Sequence, residues 1–146
     1  MAMARYDMPS PDDGYLALVL DAADRLRQHW AAHAAALGLT SIQAKVLLRL
    51  APGEAIPMRK LAQQLDYDAS NLTTLVDKLA GHGALERRAD PADRRVKALV
   101  LTAEGQRLRE EFWHNLVTDA GPLAPLREPD LRALTRLLDK LDQPAG

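Results

Sequence analysis

The sequence predicts a mainly α (α+β) fold, and three observations carry that expectation. Apolar residues recur at three-and-four spacing along most of the chain. Short, partly β-branched runs replace that period only around residues 85–101. The composition, 47% hydrophobic and 27% charged over 146 residues, has globular proportions. A chain of this length fits one domain and buries roughly two thirds of the surface of its unfolded form.

The elements follow in order. After a polar, proline-containing leader, Tyr15, Leu18, Val19, Ala22, Leu26, Trp30 and Leu37 mark one face of a long first helix over 15–37, stopped by Gly38. Thr40 and Gln43 have capping-box spacing, and Ile42, Val46, Leu47 and Leu50 carry a short second helix to Pro52 and Gly53. Pro57 suits a first helical position, so a third helix with Leu61, Ala62 and Leu65 is expected to start there and end at the Asp66–Asp68 turn. Asp68 caps a fourth helix from Ala69 to His82, with Leu72, Leu75, Val76 and Leu79 inward and Gly83 at its C-terminal stop. Leu85–Arg88 and Val96–Leu101 read as two strands of a hairpin whose long tip is ADPADRR. Only two strands are expected. Thr102 caps a fifth helix bearing Leu108, Phe112, Leu116 and Val117, broken by Gly121, Pro122 and Pro125. Pro129 opens a sixth, with Leu131, Leu134, Leu138 and Leu141.

Several function classes drop out. Cysteine is absent, which excludes disulfide frameworks, thiolate metal sites, iron–sulfur clusters and thiol redox switches. There is no glycine-rich phosphate loop, G-x-S-x-G elbow or H-E-x-x-H, so an enzyme is not expected and no cofactor is implied. The leader MAMARYDMPSPD holds no apolar stretch, so neither a membrane span nor a secretory signal is expected, and the cytoplasm is the expected compartment. A net charge of −1 rules out a polybasic coat, yet Arg87, Arg88, Arg94, Arg95 and Lys97 fall within eleven residues.

Two short helices joined by a tight turn and followed by a basic hairpin make a winged helix-turn-helix, whose second helix enters the DNA major groove. At 100° per residue, Ser70, Thr74, Asp77 and Gly81 lie opposite the apolar stripe of the fourth helix, flanked by Asn71, Thr73 and Lys78. Small polar side chains permit close approach, Asn71 can pair bidentately with adenine, Ser70, Thr73 and Thr74 can bond several base edges, and Lys78 can reach a phosphate or guanine. Any solvated helix face is also polar. Asp77 would repel phosphates unless it accepts from cytosine or pairs with an arginine of the wing. Arg94 and Arg95 at the hairpin tip suit the narrow minor groove, while Arg87, Arg88 and Lys97 on the stems suit phosphates. The same charges also protect an exposed hairpin from edge pairing. Asp93 is the candidate carboxylate for orienting Arg95 or Arg94.

The segment D-R-R-V-K-A-L-V-L-T-A-E-G, Asp93 to Gly105, resembles the D-x-R-x-x-x-x-x-L-T-x-x-G signature of the MarR family of bacterial transcriptional regulators. It matches at every specified position. The preceding D-A-S-N-L-T-T-L-V-D-K-L-A-G-H-G-A-L-E-R-R is similar to that family's recognition helix and first wing strand, and L-G-L-T-S-I-Q-A-K-V-L-L-R-L to its second helix. The likeness runs from about Tyr15 to Leu141, with Thr74 standing where many members carry a basic residue.

The resemblance implies a single domain over 1–146, with 15–37 and 103–142 as dimerisation helices and 40–101 as the DNA-binding lobe. It further implies a homodimer that reads the two halves of an inverted repeat in double-stranded DNA. A small phenolic or anionic ligand between the dimer helices and the winged domain is implied as well. The surplus of apolar faces at both chain ends agrees with a dimer, though one chain can also pack them internally. His29, Trp30 and His33 near the end of the first helix are the candidate ligand-binding residues, beside the plainer reading of an amphipathic interface. His29 and His33 share a face that can coordinate metal, but no carboxylate lies at close helical spacing, so no metal site is assigned. His114 beside Trp113 is a weaker candidate. The rival reading is a winged helix serving only as a protein-interaction module.

Overall fold

The computed structural model describes residues 14–144. The leader read above as lacking a signal lies outside the described residues. The elements run α1 (Gly14–Ala36), α2 (Ser41–Arg49), β1 (Ile56–Pro57), α3 (Met58–Leu65), α4 (Ala69–Gly81), β2 (Leu85–Ala89), β3 (Lys97–Leu101), α5 (Ala103–Thr118), a 3-10 turn at Gly121–Leu123 and α6 (Glu128–Leu141). Two compact units result. One is residues 28–118, and the other combines the segments before 28 and after 118.

Local chemistry sets most boundaries of the larger unit. Gly38 takes φ 73°, the left-handed geometry that ends α1. The Thr40 backbone N–H donates to Gln43 Oε1 at 2.9 Å, and the Gln43 N–H donates to Thr40 Oγ1 at 3.3 Å, completing the expected box. Asp66 adopts φ 49°, a conformation aspartate tolerates, so α3 turns sharply into the Asp68 cap of α4. The core joins Leu47 and Leu50 of α2, Leu61 of α3, Leu72, Val76 and Leu79 of α4, Leu85 and Leu99 of the sheet and Phe112 of α5.

The sheet corrects the expectation of two strands. It has three, antiparallel, in the order β1-β3-β2, with Ile56 opposite Leu99 and Pro57 opposite Ala98. Two residues are too few to show alternation, and Pro57 is the last strand residue and N-cap of α3 rather than its first helical residue. A proline, with no N–H to offer a ladder, suits that edge position. The β2–β3 pairing runs from Leu85 opposite Leu101 to Ala89 opposite Lys97. Leu85, Leu99 and Leu101 anchor this hairpin in the core, the support an isolated hairpin needs.

Thr102 and Gly105 clamp the end of β3 to the start of β2. Thr102 donates through its hydroxyl to the Gly83 carbonyl and through its backbone N–H to the Ala84 carbonyl at 3.1 Å, and its Oγ1 accepts from the Gly105 N–H at 3.0 Å. A Cβ on Gly105 would stand 2.0 Å from the Ala84 carbonyl oxygen, so only glycine fits. Farther along α5, Arg107 bonds both Glu104 and Glu111, and that guanidinium holds the Glu104 carboxyl below its ordinary range.

The smaller unit is less packed. Ala17 and Asp21 of α1 are buried, whereas Tyr15, Leu18 and Val19 of its apolar face are exposed, as are Leu131, Leu137, Leu138 and Leu141 of α6. Among the described residues no single helix is long and apolar enough to cross a membrane.

Candidate nucleic-acid interface

The face of α4 away from the core carries the residues singled out by helical arithmetic. Leu72, Leu75, Val76 and Leu79 are buried, and Ser70, Asn71, Thr73, Thr74, Asp77 and Lys78 are all exposed. Their hydrogen bonds divide them. Ser70 donates its hydroxyl to Asp68 at 3.1 Å and Thr73 donates to the Ala69 carbonyl at 2.9 Å, so both are committed as local donors and retain acceptor capacity. Asn71, Thr74 and Lys78 instead face a groove shared with Thr40, Gln43 and Tyr67.

Asp77 takes the last of the alternatives read from sequence: Arg87 of β2 donates to it from Nη2. The ion pair ties the exposed face of α4 to the wing and cancels the one negative charge that the helix would present to a polyanion. It also removes Arg87 from the set of free cations. Arg88 is held likewise, donating from Nε at 3.2 Å and Nη2 at 2.8 Å to Glu86 on the same side of its strand. The stem arginines expected on phosphates thus both have carboxylate partners, and Lys97, opposite Ala89, is the stem cation without an ion pair among the described residues.

The tip departs from the expected carboxylate–guanidinium brace. Asp93 accepts from the backbone N–H of Arg95 at 3.0 Å, while the Arg95 Nε lies 4.0 Å away, beyond hydrogen-bond reach. Asp90 does the same for the Ala92 N–H at 2.9 Å, and the Asp90 N–H closes onto the Val96 carbonyl at 2.8 Å. Short aspartate side chains bond backbone groups two residues on more readily than they reach a flexible guanidinium. They shape the loop, then, and leave the Arg95 side chain 95% exposed. Arg94 is exposed beside it.

The proposed ligand residues near the end of α1 are engaged in packing. Trp30 donates its indole N–H to the Ser41 carbonyl at 2.9 Å and stacks edge-on against Phe112 at 4.8 Å. His29 donates from Nε2 to the Leu116 carbonyl at 3.3 Å and meets the half-buried His33 ring edge-on at 4.7 Å. A separate cleft of about 530 Å³ lies over α5, lined by Leu48, Arg109, Glu110, Trp113, His114 and Val117. Arg109 Nε is buried there without a hydrogen-bond partner. The sequence flagged His114 with Trp113 but missed Arg109, whose surroundings depend on α2 packing against α5.

Residues 39–97 match the model of the MarR family. The uncharacterized HTH-type transcriptional regulator YhbI of Bacillus subtilis (strain 168) is 30% identical over 73 residues, covering 50% of this chain and 47% of that protein, so the match spans about half of that relative. The crystal structure of a mutant MarR from E. coli complexed with operator DNA is similar with a TM-score of 0.73 at 25% identity, covering 94% of this chain and 100% of that one. A probable transcriptional regulator from Pseudomonas aeruginosa gives 0.72 at 27% identity, covering 90% and 99%.

Proposed function

We propose, from the premise that this chain belongs to the MarR family, that two copies of it bind double-stranded DNA as a homodimeric transcriptional repressor released by a small ligand. The observation that carries DNA binding is the electrostatic arrangement of one surface. The α4 face is small and polar, its single carboxylate is neutralised by Arg87, and Arg95 and Arg94 project exposed from the adjacent tip, the Arg95 guanidinium no nearer than 4.0 Å to Asp93. In this reading α4 meets base edges in the major groove, the tip arginines enter the minor groove, and Lys78 and Lys97 meet phosphates.

The dimer is supported by uncovered apolar surface. Tyr15 is 68% exposed and Leu141 78% exposed, and Leu18, Val19, Leu137 and Leu138 extend that surface along α1 and α6. Isolated proteins rarely leave so much uncovered, and a two-fold copy presents a surface of identical composition. Two-fold symmetry sets the half-sites about 34 Å apart, one turn of the duplex. The α5 cleft supports a phenolic or anionic effector: Trp113 supplies a flat apolar wall, and the unmet Arg109 Nε a charged donor. The cytoplasm is the compartment that fits a regulator of this kind.

Salt dependence tests the reading against that of a protein-interaction module. Affinity for a cognate duplex is expected to fall log-linearly with salt, and Arg95→Ala to weaken it by about 1–3 kcal/mol with the fold intact. A gel-shift series with unchanged affinity in Arg95→Ala rejects the wing contact. Indifference of the wild type to all duplexes at low salt rejects DNA binding itself.

A further inference from the structure

Sequence spacing left the His29–His33 pair without a carboxylate, and the folded chain supplies one. The two histidines stand one helical turn apart near the end of α1, both half-buried, and the exposed Asp119 is the residue directly after α5. One imidazole nitrogen from each histidine and one carboxylate oxygen of Asp119 all lie within 4.8 Å of one another. A tetrahedral ion with bonds of about 2.1 Å holds its ligand atoms roughly 3.4 Å apart, so the closure needed is of the size that side-chain rotation supplies.

The surroundings pose these groups as ligands. His29 donates from Nε2 to the Leu116 carbonyl at 3.3 Å, which leaves Nδ1 with the lone pair that a metal requires. A backbone carbonyl on the other ring nitrogen is the usual device for fixing a ligating imidazole in one tautomer. Imidazole lone pairs lie in the ring plane, so those of stacked rings run parallel. The planes of His29 and His33 cross at 78° with centroids 4.7 Å apart, and lone pairs in crossing planes can converge. Asp119 accepts the Gly121 backbone N–H at 3.2 Å, which steadies its carboxylate.

We propose that His29, His33 and Asp119 bind one divalent transition-metal ion of the zinc class, with water at the fourth position. Two imidazoles and one carboxylate suit zinc, whereas magnesium and calcium favour oxygen ligands throughout. Cysteine is absent, so no thiolate in the chain competes for the ion. The bound ion staples the end of α1 to the end of α5 and adds its binding free energy to the stability of the fold. None of the three ligands belongs to α4 or the wing, so the assignment stands apart from the DNA-binding reading.

The test uses the full, untagged chain, stripped with a chelator and titrated with zinc against a chromophoric competitor. One ion per chain is expected, with a Kd of about 1 μM or tighter. Asp119→Asn preserves shape at an exposed position, so the fold is expected to hold while zinc affinity drops by about tenfold or more. His33→Gln is expected to show the same drop. His82→Gln, at the C-terminal cap of α4, is the control expected to bind zinc as the wild type does. Zinc is expected to raise the thermal midpoint of the wild type and to lose that effect in Asp119→Asn at the same concentration. Magnesium in about thousandfold excess is expected to leave the zinc in place. Failure of the wild type to bind zinc, wild-type affinity in both Asp119→Asn and His33→Gln, or displacement by magnesium overturns the site. A loss confined to His82→Gln also overturns it, because the ion then sits on an imidazole elsewhere.

Discussion

Replacing Gly105 by alanine isolates the junction that seats the wing. The new Cβ would lie 2.0 Å from the Ala84 carbonyl oxygen, 2.9 Å from the Ala84 carbonyl carbon and 3.0 Å from Leu101 Cδ2. The first two are backbone atoms at a fully buried residue, so relief requires α5 and the start of β2 to separate by more than an ångström. That movement breaks the bonds from Thr102 to the Gly83 and Ala84 carbonyls, each worth about 1 kcal/mol. Overpacking adds about 1–3 kcal/mol, and the better helix propensity of alanine returns about 1 kcal/mol. The net destabilisation is about 2–4 kcal/mol. In urea unfolding at fixed protein concentration the midpoint is expected to drop by about 1–2 M with an unchanged slope. Gly81→Ala is the control, since a Cβ there meets nothing within 4 Å and stability is expected to hold or rise by up to about 1 kcal/mol. A Gly105→Ala midpoint indistinguishable from that of Gly81→Ala refutes the clamp.

Two other perturbations probe the surfaces. Asp77→Asn releases Arg87 from a half-exposed ion pair, so stability is expected to change by less than about 1 kcal/mol. Binding to unrelated duplexes is expected to strengthen, with a salt slope steeper by about one; an identical slope shows that Arg87 stays out of reach of phosphate. Leu138→Ala is expected to raise the dimer dissociation constant by about tenfold in sedimentation, because in the proposed dimer a second chain covers this side chain, 51% exposed in one chain. An unaltered association constant places the interface elsewhere.

Most helix ends were readable because their causes are local. The Thr40–Gln43 box, the Asp68 cap, the Thr102 cap and the left-handed Gly38 and Gly83 all act within one turn of the chain, and all appear in the structure. The inward stripe of α4 follows from helical period alone, as does the polar face opposite. The strand Ile56–Pro57 was hidden because its identity lies in a partner some forty residues away rather than in its own two residues. Sequence left three fates open for Asp77, and folding chose Arg87 by bringing β2 alongside α4.

Amino-acid order by itself therefore determined the helices, their buried stripes and the location of the basic hairpin, since these depend on interactions between residues a few positions apart. Tertiary packing decided which arginines take carboxylate partners, that Asp93 shapes the loop backbone rather than steering a guanidinium, and that Arg109 Nε is buried without a partner. Those outcomes are set by distances between segments remote in the chain, and charge partners and burial are properties of that spacing rather than of any stretch of residues.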